Sequence, residues 1–148
     1  MGATSDNPQR LLQLFERMRP QLLGPAFRRL HELQLAPSQL RVLRALHHQT
    51  PLAMKDLADE LGLTPPSVTA LTRRLVQTGL LARRAHAEDS RVALLELTDA
   101  GHKLHRELTD EQLRGMQRLL AALSAEEQQT LLDLLERAIN GASIAGAP

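Results

Sequence analysis

Asp89, Ser90 and Arg91 sit in a polar stretch between two apolar runs, Leu80–Ala85 and Val92–Leu97. An arginine carried on such a hairpin tip can enter a narrow, negatively charged groove such as the minor groove of DNA. A carboxylate two residues away can fix its guanidinium in one pose. Upstream lie Arg73, Arg74, Arg83 and Arg84, so the segment from Thr64 to Arg91 holds five arginines against Glu88 and Asp89. Guanidinium groups grip phosphates and guanine edges in fork geometry, with phosphate the commoner partner. Ser67 and Thr69 add short hydroxyls that reach bases or phosphates. Of Arg83 and Arg84, strand alternation points only one toward such a ligand, and Arg84, beside His86, is favoured here.

The histidines suggest a second chemistry. His102 and His105 are spaced i and i+3, and His47 with His48 close an earlier helix. A zinc site needs three or four convergent ligands. The chain has no cysteine and the sequence offers no third ligand, so a solvated face is expected and no metal or other cofactor. Catalysis finds no support: there is no phosphate-binding glycine loop, nucleophile elbow or helical HExxH.

These residues must be held by helices and a hairpin. Leu57, Ala58 and Leu61 form the inner face of a short helix, and Gly62 supplies the turn after it. Thr64 has cap chemistry for the next helix and Pro65 fits its first position. Val68, Leu71 and Leu75 give that helix its buried stripe, leaving Ser67, Thr69, Ala70, Thr72, Arg73, Arg74 and Gln77 facing elsewhere. Gly79 closes it, two strands follow, and His86 to Arg91 forms the hairpin tip. Thr98 caps a long helix, and Ser124–Glu127 is a capping box that starts another. Before all this, Pro37 opens a helix ending around His47–Gln49, and Pro51–Ala53 is a candidate small strand. Leu11, Leu12, Phe15, Met18, Leu22 and Leu23 recur at helical spacing, and Phe27, Leu30 and Leu33 resume it. A kink or break is expected between Arg19 and Gly24, because Pro20 and Pro25 interrupt the pattern. Residues 1–7 read as frayed and Gly141 onward as a loose tail.

Composition narrows the function. The 148 residues suit one domain. Phe15 and Phe27 are the only Phe, Trp or Tyr residues, so single-strand stacking platforms and RNA-recognition sheets are poor candidates and a leucine core is expected. Net charge is only +1, so it is the clustering of arginine that carries the signal. No apolar run approaches the ~18 residues of a membrane span, and a cytoplasmic location is expected. The first, fifth and sixth helices are too leucine-rich to be buried on one small lobe. A second copy of the chain is the expected cover.

The segments LAPSQLRVLRAL, KDLADELGLTPPSVTALTRRLVQTGLLAR and EDSRVALLELTDAGHKL resemble the MarR family of bacterial winged helix-turn-helix transcription regulators. The resemblance implies a mainly α fold with a small β-hairpin wing. It implies an N-terminal dimerisation region over 1–34, a DNA-binding lobe over 35–100 and C-terminal dimerisation helices over 101–148. It further implies a homodimeric repressor on a palindromic operator in double-stranded DNA, released by a small aromatic or phenolic ligand. The recognition helix would present Pro66, Ser67, Thr69, Ala70, Arg73 and Arg74 to the major groove. The wing would present Arg84, His86, Asp89, Ser90 and Arg91, with Arg91 in the minor groove and Asp89 holding it. Members often carry arginine where this chain has Ala70, and the basic contact has moved one turn along to Arg73. A winged module docking a protein instead of DNA, or a metal-sensing regulator, are the alternatives.

Overall fold

The computed structural model describes residues 6–145, so the readings made for residues 1–5 and 146–148 lie outside the described residues. The chain divides into two compact units after Gln112. The first contains α1 (Asn7–Glu32), α2 (Pro37–His48), β1 (Leu52–Ala53), α3 (Met54–Leu61), α4 (Pro65–Gln77), β2 (Leu81–Ala85), β3 (Ala93–Leu97) and most of α5 (Asp99–Leu120). The second holds the end of α5, from Leu113, and α6 (Ala125–Ala145). The expected mainly helical fold with a small wing is what forms.

The strands make one antiparallel sheet in the order β1-β3-β2. Leu81 pairs with Leu97, Arg83 with Leu95, and Ala85 with Ala93. Directly opposed residues and their i+2 neighbours share a face. Leu81, Leu95 and Leu97 are buried, so this face is the inner one and Arg83 continues it outward. Arg84 and Glu96 lie on the other face.

The core of the first unit is aliphatic throughout. Leu43, Leu46, Leu57, Leu75 and Leu95 are fully buried, each stabilising by roughly 1.5–3 kcal/mol. α1 adds Ala26 and Leu30, and α5 adds Leu104 and Leu108. The winged segment therefore completes its core with side chains from both flanking helices.

α1 runs unbroken through Pro20 and Pro25, so the chain does not break between Arg19 and Gly24. Each proline removes one backbone donor. The acceptors left free belong to Glu16 and Gln21, both exposed residues, where water can satisfy them. The expected loose tail is also corrected, because α6 continues through Gly141 to Ala145. Nothing stands within 4 Å of the missing Cβ of Gly141, so this glycine weakens the helix without stopping it. The capping box at the start of α6 forms as read: Ser124 N–H donates to Glu127 Oε2 at 2.8 Å, and Glu127 N–H to Ser124 Oγ at 3.2 Å.

The ends of α4, the wing and α5 meet at one joint. Gly79 has φ 75°, a left-handed value that lets Leu80 N–H return to Leu75 O at 2.9 Å. The Thr98 hydroxyl donates to Gly79 O at 2.6 Å and accepts from Gly101 N–H at 3.1 Å. Thr98 thus caps α5 as expected while also closing α4. Thr98 N–H donates to Leu80 O at 3.1 Å, and Gly101 lies close against that same carbonyl.

Candidate nucleic-acid interface

α4 is held by side chains distant in sequence. Gln39, buried at the start of α2, donates from Nε2 to Leu71 O at 3.1 Å. Its Oε1 accepts from Ala36 N–H at 2.7 Å. Arg41 of α2 donates to Leu61 O at 2.8 Å and so closes the end of α3. Gly62, at φ 63°, then turns the chain toward α4. Leu75 and Val68 are fully buried and Leu71 is half-buried, so the apolar stripe falls where its spacing put it.

Two expectations for α4 are corrected. Thr72 does not face outward: it is 2% exposed, and its hydroxyl donates to Val68 O at 2.9 Å. The hydroxyl is satisfied within the helix, so the methyl group can enter the core. Thr64 occupies the cap position without capping, since its hydroxyl meets Ser67 Oγ at 2.9 Å instead of a backbone donor.

The remaining face of α4 is open. Pro66, Ser67, Ala70 and Arg73 are exposed and Thr69 is half-buried. Arg74, also half-buried, donates to Gln34 Oε1 at 2.9 Å. It therefore ties α4 to the α1–α2 turn as well as carrying charge.

The hairpin tip organises Arg91. Asp89 Oδ1 accepts from Arg91 N–H at 3.0 Å and from Arg91 Nε at 3.2 Å. The Asp89 carboxyl is held below the usual carboxylate range, chiefly by the Arg91 backbone donor and then by its guanidinium. The Arg91 side chain is otherwise 90% exposed. One end of its guanidinium is fixed and the rest points to solvent. Ser90 is exposed beside it, and His86 Nδ1 accepts from Glu88 N–H at 3.1 Å.

On the strands, Arg84 is engaged by Glu96 at 2.7 Å. Arg83, on the inner face, lines a cleft with Thr69, Thr72, Arg73, Val76 and Gln77. The period of two from buried Leu81 places Arg83, and not Arg84, on the side facing α4. Gln34 and Gln39 were also missed, because their partners stand far away in sequence.

The histidines assemble more closely than their spacing suggested. His47 stacks on His105 with ring centroids 4.0 Å apart and planes at 17°, and His102 stands edge-on to His47 at 5.8 Å. His105 is buried and its Nδ1 has no partner. It is thus not on the solvated face expected for it. Among the described residues no group of three or more His, Asp or Glu side chains is placed to hold a metal ion.

The chain is similar to known regulators. The family model described as "MarR family" matches residues 35–93. An uncharacterized HTH-type transcriptional regulator of Bacillus subtilis, YdgJ, is 33% identical over 106 residues, covering 72% of this chain and 65% of that protein. The HTH-type transcriptional repressor MdtR of the same organism is 32% identical over 123 residues, covering 83% of this chain and 77% of MdtR. Among solved structures, the MepR–DNA complex from Staphylococcus aureus superposes with a TM-score of 0.73 at 28% identity, covering 88% of this chain and 98% of MepR.

Proposed function

Since the chain belongs to the MarR family of transcription regulators, we propose that it binds double-stranded DNA as a homodimer and represses transcription from a palindromic operator. The observation that carries this reading is Arg91, pinned at one end by Asp89 and otherwise free at the wing tip. α4 enters the major groove with Pro66, Ser67, Thr69, Ala70 and Arg73 facing the bases and backbone. The wing enters the adjacent minor groove with Arg91, flanked by His86 and Ser90. That the MepR relative was solved in complex with DNA supports the DNA-binding reading.

Dimerisation is supported by apolar surface that each unit leaves open. Leu11, Leu12, Leu14 and Phe15 are exposed on α1, as are Leu132, Leu134, Leu135 and Ile139 on α6. Exposed leucine and phenylalanine in such number are normally covered by a partner. The ends of the chain, over 1–34 and 101–148, supply the dimer surfaces, and 35–100 supplies the reading lobe. Two-fold symmetry would set the recognition helices about 34–36 Å apart. Family membership also supports release by a small aromatic or phenolic ligand. By linkage, such a ligand must bind the DNA complex less tightly than the free dimer.

Mobility of DNA fragments from around the gene, measured across a salt series, tests the reading. Affinity should fall steeply with salt, and absence of binding at low salt would overturn it. Arg91→Ala should weaken operator binding about 10- to 100-fold, as expected for loss of a groove-reading arginine. The variant should sediment as the same dimer. Unchanged affinity would remove the wing from the mechanism.

A further inference from the structure

Three of the arginines around the reading face have partners: Arg74 with Gln34, Arg84 with Glu96 and Arg91 with Asp89. Arg73 and Arg83 are exposed, and neither has a hydrogen-bond or ion-pair partner among the described residues. They stand on two different elements, α4 and β2, and line the same cleft of about 210 Å³. No acidic side chain lines it. Its surface is mostly apolar, with half-buried Val76 and the buried Thr72 among the residues that form it.

The position of the cleft gives it a ligand. A helix in the major groove and a wing in the neighbouring minor groove straddle the one sugar–phosphate strand that separates those grooves. That strand has to pass between α4 and the hairpin formed by β2 and β3. The cleft between α4 and β2 lies along this path, with apolar surface suited to deoxyribose and unpaired guanidinium groups suited to phosphate.

We propose that this cleft holds the DNA strand between the two grooves, with Arg73 and Arg83 gripping its phosphates from opposite sides. The inference rests on the DNA-binding reading above and adds Arg83 as a backbone anchor. Arg84, whose charge is matched by Glu96, has no such role. Contacts to phosphate position a protein without reading sequence. Arg83 therefore raises affinity for every duplex alike.

The test compares the full-length protein with Arg83→Ala and Arg84→Ala, using a fragment from around its own gene and a scrambled duplex of equal length. Arg83→Ala should weaken binding to both about tenfold at moderate salt and leave their ratio unchanged. The slope of log affinity against log salt should flatten by about two per dimer, one phosphate contact being lost from each protomer. Arg83→Lys should keep the slope, since the charge remains. Arg84→Ala should change affinity less than about twofold. The thermal midpoint of Arg83→Ala should match that of the parent, which separates lost contact from lost fold. An unchanged slope in Arg83→Ala overturns the clamp while leaving the DNA-binding reading in place. Loss confined to the gene-derived fragment overturns it too, because Arg83 would then be reading bases. Failure of the unaltered protein to bind either duplex overturns the parent reading and the clamp with it.

Discussion

Alanine at Gly101 should destabilise the first unit by about 3 kcal/mol, toward the top of the range for overpacking. A Cβ there would stand 2.2 Å from Leu80 O, 3.0 Å from Leu97 Cδ2 and 3.2 Å from Leu80 C. Leucine methyl groups can rotate away, but the Leu80 carbonyl cannot. It is backbone, and it accepts the Thr98 N–H that joins the wing to α5. Relieving the clash means moving the start of α5 and, with it, the core residue Leu104. The usual gain from replacing glycine in a helix, up to about 1 kcal/mol, is too small to compensate. Urea unfolding at fixed protein concentration should show a lower midpoint with an unchanged slope. Gly141→Ala is the matching control. With no atom within 4 Å of its Cβ position, it should gain up to about 1 kcal/mol. Equal effects of the two substitutions would show that the approach of Leu80 to Gly101 is not what requires glycine.

A comparable effect is expected from acid. His105 is 7% exposed with an unpartnered Nδ1. Burial, reinforced by His47, Arg44, His48 and His102, pushes its pKa down from 6.5 to about 4. An unfolded chain accepts this proton near pH 6.5, whereas the folded chain refuses it until about pH 4. Between those values the unfolded state binds more protons, so stability rises with pH across this window. The contribution is fully present above pH 6.5 and is lost as pH falls through 4. Each tenfold difference in proton affinity between the two states is worth ~1.4 kcal/mol, which makes the whole loss about 3 kcal/mol. Denaturation midpoints at stepped pH should trace this decline in the parent. His105→Leu should flatten it. Parallel decline in the two proteins would assign the acid sensitivity to other groups.

Features that depend on neighbours within a few residues were legible in the sequence. Gly62, Thr98, the Ser124–Glu127 box and the Asp89–Arg91 pair all act over two or three positions, and all form as read. What escaped depends on contacts between elements. Thr72 looks polar in a helical pattern, but its hydroxyl is satisfied by its own helix. Arg83 and Arg84 are separable only once β3 fixes which face of β2 is buried. The prolines of α1 suggested a break because the sequence does not show that the freed carbonyls belong to exposed residues. Arg74 reaches Gln34 across forty positions of chain, a pairing no local pattern announces. The histidine stack joins α2 to α5 in the same way.

The joint at Gly79, Leu80, Thr98 and Gly101 has a consequence for how the lobe would measure its target. α4 ends there, the wing leaves and returns there, and α5 starts there. The two jaws that straddle the DNA strand in the proposed complex thus meet at one joint, and at Gly101 that joint has no room for a methyl group. The lobe would behave as a caliper with a locked opening. It would favour duplexes whose strand path and groove width already fit the gap, and penalise those that must be bent to it, even at base pairs no side chain touches.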